Sequence, residues 1–171
     1  MLAFPPLPSN KARAFTFVSR NEDPELLFLI KQSPDSESIT HHIISAQKGD
    51  TVAMAGVFGT HRATGPGTFI AAGIGIAPFL AIARSYPDIT KQSTLLWSLK
   101  KAEDILYEEE VNQLFKQVII TLTQESNATY KKGRISQELL KKLPVRNVQI
   151  CGSYEFNREM KKLIVLLTHQ A

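Results

Sequence analysis

The chain is predicted to be an α/β protein with a β-rich N-terminal part. From Thr68 onward, short apolar runs alternate with stretches of helical spacing, the pattern of a parallel sheet with helices on its faces. Before Thr68 the apolar runs are extended, carry Thr and aromatic residues, and are separated by turn clusters. The two patterns meet at TFIAAGIGIAPFL, residues 68–80: a β-favouring run, two glycines spaced G-x-G, a proline three residues later and an apolar helix start.

In chain order, Ala12 to Ser19 is an extended run, and Asn21-Glu22-Asp23-Pro24 turns it into a second strand, Leu26 to Lys31. Pro34 to Glu37 turns again, and Ser38 to Ser45 reads as a short helix or a loop. Gly49-Asp50 precedes a third strand, Thr51 to Ala55. The turn-rich stretch Gly56 to Gly67 marks a boundary between two domains, residues 1–63 and 64–171. Beyond it the strands are Thr68–Ala72, Thr94–Ser98, Val118–Leu122 and Asn147–Cys151. The helices are Ala77–Tyr86, Asp104–Phe115, Ser136–Leu143 and Glu155–Leu167. Asp104 reads as an N-cap with acids following it, and Phe156, Met160, Leu163, Ile164 and Leu167 form an ordinary core stripe. In the 68–80 segment, Gly73 and Gly75 lack Cβ atoms and let the backbone approach a bulky ligand, while Pro78 suits a first helical turn. The free N–H groups of that helix start would face an anion such as a pyrophosphate, although the same residues also read as plain turn chemistry.

At 171 residues, 43% hydrophobic and 21% charged, the chain can bury a core as one domain or two small ones. No run approaches the length of a membrane span, and the proline-broken start has no basic region ahead of a long apolar one, so neither a membrane partner nor a signal peptide is expected. A single cysteine excludes an internal disulfide and a Cys-ligated iron–sulfur cluster, and a cytoplasmic setting is expected. The net charge is +4; residues 1–62 balance six Lys/Arg against six Asp/Glu, and residues 63–171 hold fourteen against ten. That bias suits an anionic small molecule, and with no basic stripe interleaved with aromatics, no nucleic acid is expected. His41 and His42 are adjacent, not at the spacing of a metal-binding helix face; with His61 and His169 they are expected at the surface, and no metal site is predicted.

Several segments carry a stronger signal together than apart. They are Arg13-Ala14-Phe15-Thr16-Phe17-Val18-Ser19, then Gly49-Asp50-Thr51-Val52 with Gly56-Val57-Phe58-Gly59, then Gly73-x-Gly75-x-x-Pro78, and finally Cys151-Gly152-Ser153. Between the last two lie the loop from Ser98 to Tyr107 and Gly133-Arg134-Ile135. In this order they resemble the ferredoxin–NADP(+) reductase superfamily of flavin-dependent oxidoreductases, over nearly the whole chain from Ala12. The resemblance implies a partial antiparallel β-barrel of flavin-domain type, residues 1–63, followed by a Rossmann-like parallel-sheet NAD(P)-binding domain, residues 64–171, with FAD and NAD(P)H as cofactors.

The resemblance also assigns residues. Phe15 would pack on the flavin ring, Thr16 would sit near the flavin N5 where hydride arrives, and Arg13, helped by Lys31, would neutralise the FAD pyrophosphate. Without the resemblance, Phe15 and Thr16 read as an alternating strand with one face in a core. Thr40, followed by Ile43, is similar to the family's phosphate-holding [ST]-x-x-L, and reads equally as a helix N-cap. Gly73, Gly75 and Pro78 would form the pyrophosphate turn. Cys151, with Gly152, would lie against the nicotinamide; otherwise it is a buried structural thiol. Ser98, Lys100 and Lys101 would face the adenosine ribose, where the lysines either hold a 2′-phosphate or are solvated. Arg134 joins the cofactor-binding set through its G-R-[IV] match.

The chain departs from the family pattern in places. About a dozen residues precede the Arg13 segment, so roughly half a barrel is missing. Val57 and Ser153 stand where the family has prolines, the usual glycine ahead of Thr40 is absent, and no terminal aromatic closes the chain. Three accounts of the short barrel stand open: a fragment of a longer protein, an open edge paired with a second copy as a homodimer, or a remnant with weakened flavin binding. The expected function is a flavin-dependent NAD(P)H oxidoreductase passing electrons to an unidentified acceptor, an electron-transfer protein among the candidates. The alternative is a non-catalytic remnant or fragment acting as a nucleotide-binding or interaction module.

Overall fold

The structure, a computed structural model, describes residues 2–3, 13–20, 22–54, 56 and 59–168. Ala12, Asn21, Ala55, Val57, Phe58 and His169, used in the sequence reading, lie outside the described residues.

The N-terminal third carries little regular structure. Strand β1 (Leu2–Ala3) pairs antiparallel with β2 (Ala53–Met54). The runs predicted as strands from Ala12 and Leu26 do lie side by side, but they meet at an isolated antiparallel bridge, Phe17 with Phe28, beside a Val18 N–H to Leu27 C=O bond of 2.7 Å. The predicted strand Thr51–Ala55 shortens to β2. Among the described residues the two runs share this single bridge and no continuous ladder. The ambiguous stretch after Pro34 is a helix, α1 (Ile39–Ser45), whose N-cap Ser38 accepts the His41 N–H at 3.2 Å.

From Thr68 the alternating pattern folds as read. Strands β3 (Thr68–Ala72), β4 (Thr94–Leu99), β5 (Gln117–Leu122), β6 (Lys131–Lys132) and β7 (Gln149–Cys151) form an all-parallel sheet in the order β6-β5-β4-β3-β7. The two-residue edge strand β6 has no apolar run and was not legible. Successive strands step outward from β3 to β6, and β7 then returns to the other side of β3, with Ile70 opposite Ile150. The carboxyl ends of β3 and β7 therefore flank the point where the winding reverses, where open sheets of this kind leave a crevice.

Helix α2 (Ala77–Ser85) follows β3, and Pro87 opens the single turn α3 (Pro87–Thr90). Helix α4 (Glu108–Leu114) starts four residues later than predicted. Asp104 is not its N-cap: it closes a 3-10 turn, Ala102–Asp104, where its carboxylate accepts the Lys101 N–H at 3.2 Å, and Tyr107, at φ 56°, precedes the helix. The helix predicted from Ser136 narrows to α5 (Gln137–Leu140), capped by Ser136, and the C-terminal helix is α6 (Tyr154–Thr168).

Strands β3 and β4 are buried on both faces, which is why each reads as an unbroken apolar run. Phe69, Ala71, Leu95 and Trp97 face α2 and α4, with the Phe69 ring edge-on to Phe79 and Phe115 at 5.2 and 5.7 Å. Ile70 and Leu96 face α5 and α6 through Leu139, Leu140 and Met160. Arg84 ties the two parts of the chain together. Its Nε and Nη2 donate to the Glu110 carboxylate at 2.7 and 2.9 Å, and its Nη1 donates to the Val18 carbonyl at 2.7 Å. No helix among the described residues is long and apolar enough to cross a membrane.

Candidate functional site

The site is built around the turn that follows β3. Gly73 has φ +52°, and a Cβ placed there would meet nothing within 4 Å: its backbone needs glycine, and the space beside it is open. Gly75 differs. A Cβ there would collide with the carbonyl of Cys151, so its clearance is taken up by the end of β7 and not kept for a ligand. Gly152 is likewise needed for packing, since a Cβ would lie 2.6 Å from the Phe156 ring and 3.0 Å from the Ala72 Cβ. A four-residue 3-10 turn, Gly73–Ile76, runs into α2, where buried Pro78 sits in the first turn and gives up an N–H that has no helical acceptor. From β4, the fully buried Trp97 donates its indole N–H to the Gly73 carbonyl at 2.9 Å.

This turn forms one wall of an open cleft of about 1050 Å³. Arg13, Phe15, Thr16, Lys31 and Thr40 reach it from the N-terminal part. Gly73, Gly75, Pro78, Ser98, Lys100, Arg134, Cys151 and Gly152 reach it from the sheet side. Lys101 does not line the cleft: its Nζ is 3.2 Å from Glu103 Oε1 and exposed. Both lysines lie beyond the end of β4, in the bend that leads into the 3-10 turn Ala102–Asp104, and only Lys100 lines the cleft. Thr40 lies one residue inside α1, with its hydroxyl 3.1 Å from the capping Ser38 hydroxyl, so Ser38 and not Thr40 is the cap. Arg134 is exposed, with Glu159 at 3.8 Å. Glu103, Asp104, Glu155 and Glu159 also line the cleft, so its walls carry both signs of charge.

Cys151 is half-buried and free, and burial pushes its thiol pKa up, so the sulfur is a neutral, apolar contact at ordinary pH and not a thiolate nucleophile. Ser153, the proline replacement, accepts the Phe156 N–H at 3.2 Å and caps α6 directly behind Cys151. Trp97, Thr123, Gln124 and Met160 also line the cleft. The sequence reading missed all four; for Trp97 the available signal was a lone tryptophan one residue before Ser98. His61 is not a simple surface residue: its ring stands edge-on to Phe79 at 5.3 Å, with Nδ1 3.3 Å from Gln149 Oε1. No cluster of three or more metal-ligating side chains occurs among the described residues. The cleft is thus suited to binding and orienting an elongated ligand, with an apolar neutral thiol at one point and open backbone at another.

A family model described as the oxidoreductase NAD-binding domain matches residues 69–162. No curated protein sequence is matched. Among solved structures, the chain is similar to the flavohem-like FAD/NAD binding domain of nitric oxide dioxygenase from Vibrio cholerae O1 biovar El Tor, at 21% identity over 91% of this chain and 71% of that one, with a TM-score of 0.76. It is similar to a ferredoxin NADP+ reductase from Neisseria gonorrhoeae, solved with bound FAD and NADP, at 21% identity over 90% of this chain and 71% of that one, with a TM-score of 0.67. It is also similar to the CS-b5R domains of human Ncb5or in the NAD+ form, at 25% identity over 83% of this chain but 46% of that one, with a TM-score of 0.68. The fold is therefore that of the ferredoxin reductase-like proteins, as the sequence resemblance implies.

Proposed function

The chain belongs to the oxidoreductase NAD-binding domain family, and from that premise we propose that it is a flavin-dependent NAD(P)H oxidoreductase. One observation carries this reading: the residues that resemble flavin-side and nicotinamide-side positions, far apart in sequence, line a single cleft, with Lys101 the exception. The residues fit the two cofactors. At Gly73 the backbone is open for 4 Å around the missing Cβ, beside the start of α2, which suits a pyrophosphate. Arg13 offers a forked donor for a second pyrophosphate, and Phe15 an aromatic face for a flat ring.

When bound, NAD(P)H supplies a hydride and FAD accepts it and releases electrons singly or in pairs. The chain's own residues then bind and orient. Thr16 offers a hydroxyl on the flavin side, and the Cys151 thiol, neutral through burial, packs without adding charge beside a nicotinamide. Ser98 and Lys100 face the ribose end, and Lys100 is the cation available to a 2′-phosphate. Lys100→Ala is expected to raise the Michaelis constant for NADPH by about tenfold or more and that for NADH by less than twofold, since a charge-assisted bond contributes about 1.5–3 kcal/mol. Lys101→Ala is expected to change neither; steady-state kinetics with both cofactors checks both variants.

The reading is tested with the purified full chain. It should take up added FAD, turn yellow and lose that colour when NAD(P)H is added anaerobically. A second reading, a nucleotide-binding module without flavin, draws on the sparse pairing of the N-terminal part, whose described strands meet in two-residue or single-bridge contacts. Binding of NAD+ or NADP+ with no uptake of FAD would select it.

A further inference from the structure

We propose that Trp97 is a positioning residue for the nucleotide turn: its indole N–H fixes the peptide between Gly73 and Ile74 and so sets which way that peptide faces in the cleft. This rests on the nucleotide-binding reading above and goes beyond it in assigning what holds the turn.

Glycine has no Cβ to restrict its backbone, so Gly73, at φ +52°, does not by itself fix the orientation of the peptide that follows it. Within the 3-10 turn it is the residue with positive φ, and the space beside it is empty of protein. A directional contact is needed to hold that peptide in one orientation. The Trp97 indole does this with a 2.9 Å bond to the Gly73 carbonyl. The donor is rigidly placed: Trp97 is 1% exposed, in the middle of β4, with Ala71 of β3 and Ile120 of β5 as its neighbours in register. A trans peptide holds its C=O and N–H in opposite directions. Fixing the Gly73 carbonyl toward Trp97 therefore turns the Ile74 N–H the other way and removes the freedom of the peptide on which the turn pivots. Both residues line the same cleft. A turn held this way loses little conformational entropy when a dinucleotide binds, whereas a released Gly73 must be ordered by the ligand.

Trp97 is the chain's single tryptophan, so biosynthetic replacement is site-specific. In the full chain, β-(3-benzothienyl)alanine keeps the ring shape and removes the N–H, while 7-azatryptophan keeps the N–H. Calorimetric titration with NAD+ and NADP+ is expected to show binding weakened about tenfold by the first analogue and within twofold of the unmodified chain for the second. Trp97→Phe is expected to behave like the first analogue. Phe115→Leu, at a buried position at the end of α4 whose ring packs on Phe69 and does not line the cleft, is the stability control; it should lower the melting temperature and leave affinity unchanged. If the unmodified chain binds neither nucleotide, the functional reading fails and this proposal fails with it. If the unmodified chain binds and the benzothienyl chain binds within twofold of it, the functional reading stands and the role of Trp97 is overturned. An affinity loss equal to that of Phe115→Leu at a matched melting temperature overturns it as well, because the effect is then one of stability alone.

Discussion

Gly73 and Gly75 lie two residues apart and are glycine for different reasons. Alanine at 73 meets open space but must hold a left-handed backbone, a cost of about 1 kcal/mol. Alanine at 75 must push the Cys151 carbonyl aside, which places it at or above the upper end of the about 1–3 kcal/mol of overpacking and separates β3 from β7. Denaturant unfolding is expected to show Gly75→Ala losing more stability than Gly73→Ala; equal losses would mean that the turn does not rest on β7. The neighbouring Cys151 makes a prediction in pH. Burial raises its thiol above the ordinary value of about 8.5, so the folded chain holds that proton more tightly than the unfolded chain. The thiol therefore leaves stability flat below about pH 8 and weakens the fold as pH rises through the unfolded and then the folded pKa. Alkylation by iodoacetamide should be slow at pH 7 and accelerate only above about pH 9, as mass spectrometry would read. Rapid modification at pH 7 would show an exposed or activated sulfur.

Among the elements, α2, α4 and the Arg13–Ser19 segment are joined by one side chain. Arg84 gives two bonds to Glu110 on α4 and one to the Val18 carbonyl, and its guanidinium lies 5.3 Å from the centre of the Tyr107 ring. Glu110 holds the Arg84 proton more firmly than usual through that paired bond. The pair is partly buried, at 17% and 34% side-chain exposure, so it is neither a screened surface bridge nor a fully desolvated one. Arg84→Met is expected to cost about 2 kcal/mol, from lost charge-assisted bonds and an unpaired Glu110. Adding Glu110→Gln should restore part of that loss, because it removes the orphaned carboxylate; a double-mutant cycle measures the coupling. Additive losses would show that the two side chains do not act as a unit. Because Val18 lies two residues beyond Thr16, this contact also sets where the N-terminal wall of the cleft stands relative to the sheet.

Across the whole molecule, order is unevenly spread. The sheet from β5 through β3 is a continuous parallel ladder with Phe69, Leu95, Leu96 and Leu122 fully buried, whereas the described N-terminal third is held by short pairings, and Leu26, Leu27 and Met54 are about half exposed. Amides whose bonds lie in a buried ladder open only with global unfolding, while isolated bridges open locally. Hydrogen exchange is accordingly expected to leave β3 and β4 protected longest and residues 13–31 exchanging much earlier. Added FAD, if it binds as proposed, should slow exchange there by contacts with Arg13, Phe15 and Lys31. Uniform protection across the chain would contradict this division.

The amino-acid sequence alone determined the second half in outline. Strands β3 and β4, buried on both faces, are near-unbroken apolar runs, and with the apolar run of β5 they could be located to within a residue or so; the glycine turn at the end of β3 marked the cleft. The segments that resemble a known family supplied the candidate site, and all of those residues but Lys101 line one cleft. The tertiary structure decided the rest. Strand order brought Cys151 beside Gly75 and Trp97 beneath Gly73, contacts between residues some 76 and 24 positions apart that leave no local pattern. It also decided that the extended N-terminal runs meet in single bridges, that Arg84 spans to Val18, and that Lys100 and not Lys101 faces the cleft. Periodicity reports how one element is buried along its own length, whereas a site is made where the ends of different elements meet, and that meeting depends on the winding of the whole sheet.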